Sequence, residues 1–374
     1  MQTKIFFLFV SVFTCFSNAR AENLEMTPLI FVPGIKGSVL VNPQNKIQWV
    51  TFWQALNLSG GLSTLGLPIQ WNGDSQEKDS LHPEGILSEV GFSFLGGEKV
   101  YAPFLKNMHP FGARFFPFAY DWRRDNNESA ELLELFIKKI LIQTHSKKVQ
   151  AVAHSMGGLL LYSVMLKHPE WFQNVTFAGV PFSGGIGFLP DLHQGLATGL
   201  NSEILSPEVL ETFPSVFTLF QSAKYFDIVD ENGKGIDINF YKPEDWRNHH
   251  LGPFAGSRNP GEKFFAFFKT TLKRALVFRK SLEVSEIQAL EMNKIDITVV
   301  LSEKFPTLLN VIKNGPENSL GYDFKTAEKV PGDGRVPASR AKLPSTIKYQ
   351  VYQSNFSHAH LLDDNNLLEV FIKQ

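Results

Sequence analysis

Residues 149–159 read Val149-Gln150-Ala151-Val152-Ala153-His154-Ser155-Met156-Gly157-Gly158-Leu159. A run rich in β-branched and apolar residues, Val149 to Val152, meets a tight turn of small residues from Ala153 to Gly158. It passes directly into an apolar helical pattern through Leu159, Leu160, Tyr162, Ser163 and Leu166. The order is strand, sharp turn, helix. A serine at the apex of such a turn is held out from the strand, and it needs small neighbours two positions to either side so that strand and helix can approach. Ser155 occupies that apex, with Gly157 at plus two and Ala153 at minus two. A methyl is the least that a side chain could add to glycine there. Ser155 is therefore the candidate nucleophile.

Working outward, the same alternation recurs. Upstream, Leu132, Leu133, Phe136, Ile137, Ile140 and Leu141 fall at helical spacing, which predicts a helix from Ser129, as a possible N-cap, to Thr144. Strands are predicted at 28–32, 115–120, 174–178, 295–301 and 347–352, and a helix from Leu361 to Ile372. Asp121 and Arg123 read as a local salt bridge shaping a strand-end loop. Strands separated by helices point to a mostly parallel sheet with helices on its faces. The strand at 28–32 runs into Pro33-Gly34-Ile35-Lys36-Gly37-Ser38. In an α/β-hydrolase fold this loop supplies one backbone N–H of an oxyanion hole and the residue after the nucleophile supplies the other. Those donors would be Ile35 and Met156.

A serine hydroxyl is a weak nucleophile and needs a base, itself oriented by an acid. In this fold the chain order is serine, acid, histidine. Asp333, between Gly332 and Gly334, and a histidine in the segment 354–360 satisfy that order. His358 and His360 compete for the base. His154 is set aside, because on the turn its side chain points away from that of Ser155.

The formal net charge of −1 lacks the clustered basic face that nucleic acid requires. Phenylalanine is in excess, with 34 residues in the chain and clusters of them around 92–94, 111–118, 213–220 and 264–268; core filling and an apolar substrate both account for it. Met1 to Ala21, with Lys4, an apolar stretch from Ile5 to Phe16 and Ala19-Arg20-Ala21, reads as a secretory signal that directs the chain to the periplasm or outside. The single cysteine, Cys15, lies within it, so the mature protein is expected to hold no disulfide. The remainder, 22–374, reads as one domain with two insertions. The first, about 43–100, is rich in Gly, Ser, Trp and Leu without sustained periodicity and suits a lid. The second, about 188–292, is largely helical and suits a cap. Within it, 262–280 sets Phe264, Phe265, Phe268, Leu272, Ala275 and Leu276 at helical spacing amid lysines and arginines, as either a membrane-surface helix or one packed on its own domain.

Several separate pieces together resemble the lecithin:cholesterol acyltransferase family: LIFVPGIKGSVL (29–40), FAYDWRRDNNESA (118–130), AHSMGGLL (153–160), ETFPSVFTLF (211–220), GDGRVPASRA (332–341) and SHAHLLDDNNLLEVF (357–371). The resemblance implies a triad of Ser155, Asp333 and His358, the histidine following from its spacing to Leu361-Leu362. It further implies the oxyanion donors Ile35 and Met156. The expected function is an exported serine hydrolase or acyltransferase acting on phospholipid-type esters at a membrane or micelle surface, without metal or cofactor, its protein partners left open. Two alternatives stand beside it: a carboxylesterase or triglyceride lipase using water alone, and an inactive lipid-binding protein on the same scaffold. Two departures from the family are Ala153 in place of glycine and the lack of the lid disulfide of secreted animal members. The absence of cysteine and the plain signal resemble bacterial members.

Overall fold

The computed structural model describes residues 27–56, 65–90, 98–221 and 226–367. The signal at 1–21, parts of the first insertion and the end of the C-terminal helix lie outside them. Among the described residues, six strands form the central sheet: β1 (Leu29–Val32), β2 (Phe115–Pro117), β3 (Val149–His154), β4 (Phe172–Ala178), β5 (Asp296–Ser302) and β6 (Gln350–Ser354). Their spatial order is β2-β1-β3-β4-β5-β6, and every pairing is parallel. This is the α/β-hydrolase fold expected above, with all six central strands at the predicted places. Parallel strands must be covered on both faces, so they read as nearly continuous apolar runs. Every residue of β1 and β3 is buried.

Successive residues of β1 serve two different cores. Ile30 and Val32 face one that includes Ala151, Ala153, Val175, Phe177, Leu133, Ile137 and Leu160. Leu29 and Phe31 face a second with Tyr101, Phe104, Phe111, Leu361 and Leu362. The covering helices are α1 (Ala102–Asn107), α2 (Asn126–Thr144) and α3 (Met156–Lys167). All residues of α3 from Met156 to Leu166 are buried, which explains why its sequence is apolar on every side. The α2 start differs from expectation. Asp125 is its N-cap, its carboxylate accepting the N–H of Asn127, and Ser129 lies buried within the first turn.

The predicted Asp121–Arg123 ion pair is present at 2.7 Å, and Arg123 also holds Asp79 at 2.7 Å and the carbonyl of Leu65 at 2.9 Å. A fully buried guanidinium is thereby matched by two carboxylates and ties the first insertion to the sheet. That insertion is more ordered than its lack of periodicity suggested. Strands 38–41, 47–49 and 82–86 pair antiparallel, and Trp71–Asn72 pairs with Ser75–Gln76. Such strands are too short to show an alternating pattern.

The helical stretches of the second insertion include α4 (Leu189–Gln194) and α5 (Gly261–Ser281). The structure resolves the two placements of the latter helix. Phe264, Phe267, Phe268, Leu272 and Ala275 are all buried, Phe268 contacting Phe217 and Trp246 edge-on at centroid distances of 5.2 and 5.5 Å. Its apolar stripe belongs to the core and is not available to a membrane surface. Among the described residues no helix is long and apolar enough to cross a membrane. The chain segment from His358 to Asp363 is a 3-10 helix rather than the start of an α-helix at Leu361, and its buried Leu361 and Leu362 close the second core.

Candidate active site

The site lies where β3, β5 and β6 deliver their following loops, at the carboxyl edge of the sheet, where open α/β sheets bind their ligands. Ser155 follows β3 with φ +51° and ψ −128°, a conformation that side-chain-bearing residues rarely hold. The neighbouring glycines permit it. A Cβ on Gly157 would stand 2.1 Å from the carbonyl oxygen of Pro33, and one on Gly34 would meet the Ser155 Cβ at 2.9 Å. The loop after β1 and the turn after β3 are thus in backbone-to-backbone contact, which only glycine at both positions allows.

Asp333 does not follow β5 directly. The chain first makes the strand Phe305–Leu308, pairs it antiparallel with Lys329–Gly332, and presents Asp333 immediately afterwards. The carboxylate is buried, its Oδ1 accepting the N–H groups of Arg335 and Val336 at 2.9 and 2.7 Å. Its Oδ2 lies 2.8 Å from His358 Nδ1. Burial by itself would push this carboxyl up; the adjoining His358 ring and the two N–H donors outweigh it and hold the group below the ordinary range. The Nδ1 proton of His358 therefore goes to Asp333, which leaves the Nε2 lone pair to accept from Ser155 Oγ at 2.9 Å. Asp333, His358 and Ser155 form one hydrogen-bonded line. His360, the competing histidine, pairs instead with Asp363 at 2.8 Å on the outer side of the 3-10 helix.

Met156 is the first residue of α3, so its N–H has no intrahelical acceptor. In the loop after β1 the Gly34 carbonyl accepts from Gly37 N–H at 3.1 Å. The two groups of a trans peptide point in opposite directions, so the N–H of Ile35 is turned the other way. Both Ile35 and Ser155 line a cavity of about 360 Å³, walled mainly by apolar groups such as Trp49, Val50, Leu87, Phe188, Leu196 and Leu219. The first two and Leu87 come from the segment 43–100, and the last three from 188–292.

Sequence reasoning passed over two members of the site. His154 is buried with its Nδ1 2.7 Å from the Tyr101 hydroxyl and its Nε2 2.8 Å from the His358 carbonyl oxygen. Its ring does turn away from Ser155, as expected, but into the machinery rather than out of it. Tyr101 carried no motif, and only its place between the insertion and α1 could have drawn attention to it. Among the described residues no group of three or more His, Cys, Asp or Glu is arranged to hold a metal ion.

Comparison with known proteins places this geometry in context. The family model for lecithin:cholesterol acyltransferase matches residues 86–313, a span that includes Ser155 and Met156 and stops short of Asp333 and His358. Lecithin-cholesterol acyltransferase-like 4 of Arabidopsis thaliana is 28% identical over 194 residues, 44% of this chain and 36% of that protein. Phospholipase A(1) LCAT3 of the same plant is 36% identical over 89 residues, 21% of this chain and 19% of its own. The triacylglycerol lipase of Pseudarthrobacter phenanthrenivorans is 30% identical over 101 residues, 26% of this chain and 30% of that one. The matched regions thus span about a third or less of these relatives. Among solved structures, the Tle4-Tli4 complex contains a chain that superposes with a TM-score of 0.57 at 16% identity, covering 92% of this chain and 98% of that one. That likeness is one of fold.

Proposed function

The chain belongs to the lecithin:cholesterol acyltransferase family, and from that premise we propose that it is a serine-dependent lipid-ester hydrolase or acyltransferase working through Ser155, His358 and Asp333. The observation that carries this reading is the continuous line from Asp333 Oδ2 through His358 to Ser155 Oγ, opening into an apolar cavity. Ser155 Oγ attacks the ester carbonyl while His358 Nε2 takes its proton, and Asp333 keeps the imidazole in the tautomer that can accept it. The N–H groups of Ile35 and Met156 receive the oxyanion. The imidazolium then returns its proton to the departing alcohol, leaving an acyl-Ser155. Water or a second alcohol takes the acyl group by the same steps in reverse.

The segments 43–100 and 188–292 supply the cavity's apolar walls and would act as its lid and cap. Apolar walls suit acyl chains, and the plant relative named a phospholipase A(1) supports a phospholipid-type donor. Contact with a lipid surface falls to Trp53 and Leu200, which are 58% and 75% exposed, rather than to the buried stripe of α5: Leu200 follows the cavity-lining Gly199 and its N–H bonds the carbonyl of Ala55, in the short helix 52–55 that carries Trp53. Export through the segment 1–21 belongs to the same reading. The test is incubation of the enzyme and its Ser155→Ala variant with phospholipid vesicles, with and without a sterol, followed by product analysis and fluorophosphonate labelling. Fatty acid release and labelling that both depend on Ser155 are expected, and sterol ester appears if an alcohol competes with water. Release that survives Ser155→Ala would overturn the assignment. Cleavage of triacylglycerol alone would favour a neutral-lipid lipase.

A further inference from the structure

The hydrogen bonds around His154 admit a single assignment of donors and acceptors. A carbonyl oxygen only accepts, so the 2.8 Å contact with the His358 carbonyl puts the His154 proton on Nε2. Nδ1 is then a bare lone pair and accepts from the Tyr101 hydroxyl at 2.7 Å. The phenol oxygen in turn accepts the N–H of Gly34 at 2.9 Å. The chain of donors runs from Gly34 N–H to Tyr101, from Tyr101 O–H to His154 Nδ1, and from His154 Nε2–H to the main chain of His358. All its side chains are buried.

Both ends of this chain are parts of the site. The His358 N–H is fixed by the Asp333 carbonyl at 2.8 Å, so with His154 on its carbonyl the backbone of the base is held from both sides. At the other end, Gly34 has its N–H on Tyr101 and its carbonyl on Gly37, which sets the peptide that carries the Ile35 N–H. We propose that Tyr101 and His154 are positioning residues: one continuous hydrogen-bonded strut that sets the distance between the base His358 and the oxyanion loop at Gly34–Ile35, across the nucleophile. The inference rests on the reading of Ser155 and His358 given above.

The strut needs a neutral His154. Burial chiefly, then the His358 ring at a centroid distance of 5.0 Å, bring its pKa down to about 3. The imidazolium that forms on His358 during turnover therefore faces a ring that stays uncharged. Tyr101 also directly follows the first insertion, after Glu98–Lys99, and stands as the N-cap residue of α1. The strut is anchored on the segment that walls the cavity.

Tyr101→Phe deletes one oxygen and keeps the ring, whose edge-on contact with Phe31 lies at 5.2 Å. Fluorophosphonate titration counts competent sites, so kcat per labelled site on a soluble short-chain ester separates positioning from folding. A displacement of even about 1 Å between reacting groups costs on the order of 100-fold. Tyr101→Phe is accordingly expected to lower kcat per site by about 10- to 100-fold with KM within about twofold. His154→Gln keeps a donor at the Nε2 position but loses the acceptor for Tyr101, and His154→Asn keeps an acceptor near Nδ1 but loses the donor to His358, so each breaks the strut at one end and lowers kcat per site. Unchanged kcat per site in Tyr101→Phe, whatever its melting temperature, overturns the proposal. So does kcat per site at the wild-type level in both the Gln and the Asn variants, which decides the matter should Tyr101→Phe fail to fold. Either result leaves the Ser155 assignment standing, whereas activity in Ser155→Ala removes that assignment instead.

Discussion

Replacing Ser155 by glycine and, separately, by alanine asks whether the turn is strained. Both variants lose Oγ and its bond to His358, so both are expected to lose turnover and labelling. They differ only in the Cβ. At an ordinary buried position glycine is less stable than alanine by about 1 kcal/mol for its extra freedom when unfolded, and by about 0.8 kcal/mol for the lost methyl. Ser155 is not at an ordinary position. With φ +51° and ψ −128° it lies outside even the left-handed helical region, where a side chain costs up to about 3 kcal/mol. Glycine feels little of that cost. Subtracting the two losses from the relief leaves glycine ahead of alanine by about 1 kcal/mol, where an unstrained site would put it behind by nearly 2 kcal/mol. Urea unfolding of the two variants measures the difference directly, as a midpoint shift of a few tenths molar toward higher urea for Ser155→Gly. A glycine variant less stable than the alanine variant by about 2 kcal/mol would refute the strain argument.

Two further outcomes follow from burial. Trp53→Asp combined with Leu200→Asp should weaken vesicle binding and spare hydrolysis of a soluble ester, whereas Phe268→Ala should cost about 3–5 kcal/mol of stability with no selective effect on vesicles; a vesicle-specific defect in Phe268→Ala would return the docking role to α5. Glu211 is buried near Arg258, and its desolvation, only partly offset by that arginine, raises its pKa from 4.5 to about 8. A raised folded pKa contributes stability that is complete below about 4.5 and disappears as pH rises toward about 8, with a slope of up to about 1.4 kcal/mol per unit. Glu211→Gln should flatten the fall of the thermal midpoint across that window, and an identical pH dependence in the variant would show that another group governs it.

The fold was legible because the inner strands β1, β3, β4 and β5 are largely buried and announce themselves as short apolar runs, and because the turn at Ser155 tolerates so few residues. The order of Ser155, Asp333 and His358 could be read along the chain since each sits on a loop after a strand. Contacts across the molecule were not legible. Nothing local marks Asp79 as the second partner of Arg123, or Tyr101 as the donor to His154, because the partners lie 44 and 53 positions apart. The α5 helix illustrates a different limit. A phenylalanine stripe flanked by lysines has one pattern whether it meets lipid or Phe217 and Trp246, and only tertiary packing distinguishes them. Ser129 was displaced as the helix start by Asp125, whose carboxylate caps α2 while also receiving Arg274 Nε.

The strand order bears on how such a protein comes into being. From β3 onward each new strand pairs beside its predecessor, so the sheet extends outward one neighbour at a time, and β6 is set on the edge last. Ser155 follows the third of these central strands to be synthesised, and His358 lies on the loop after the sixth. Under the proposed mechanism, a chain still emerging from the ribosome therefore holds its serine long before it holds the Asp333 and His358 that would activate it. The same arrangement makes that edge the fuse: a nick or a local opening that frees β6 is expected to withdraw His358 from Ser155 while most of the folded core stays intact.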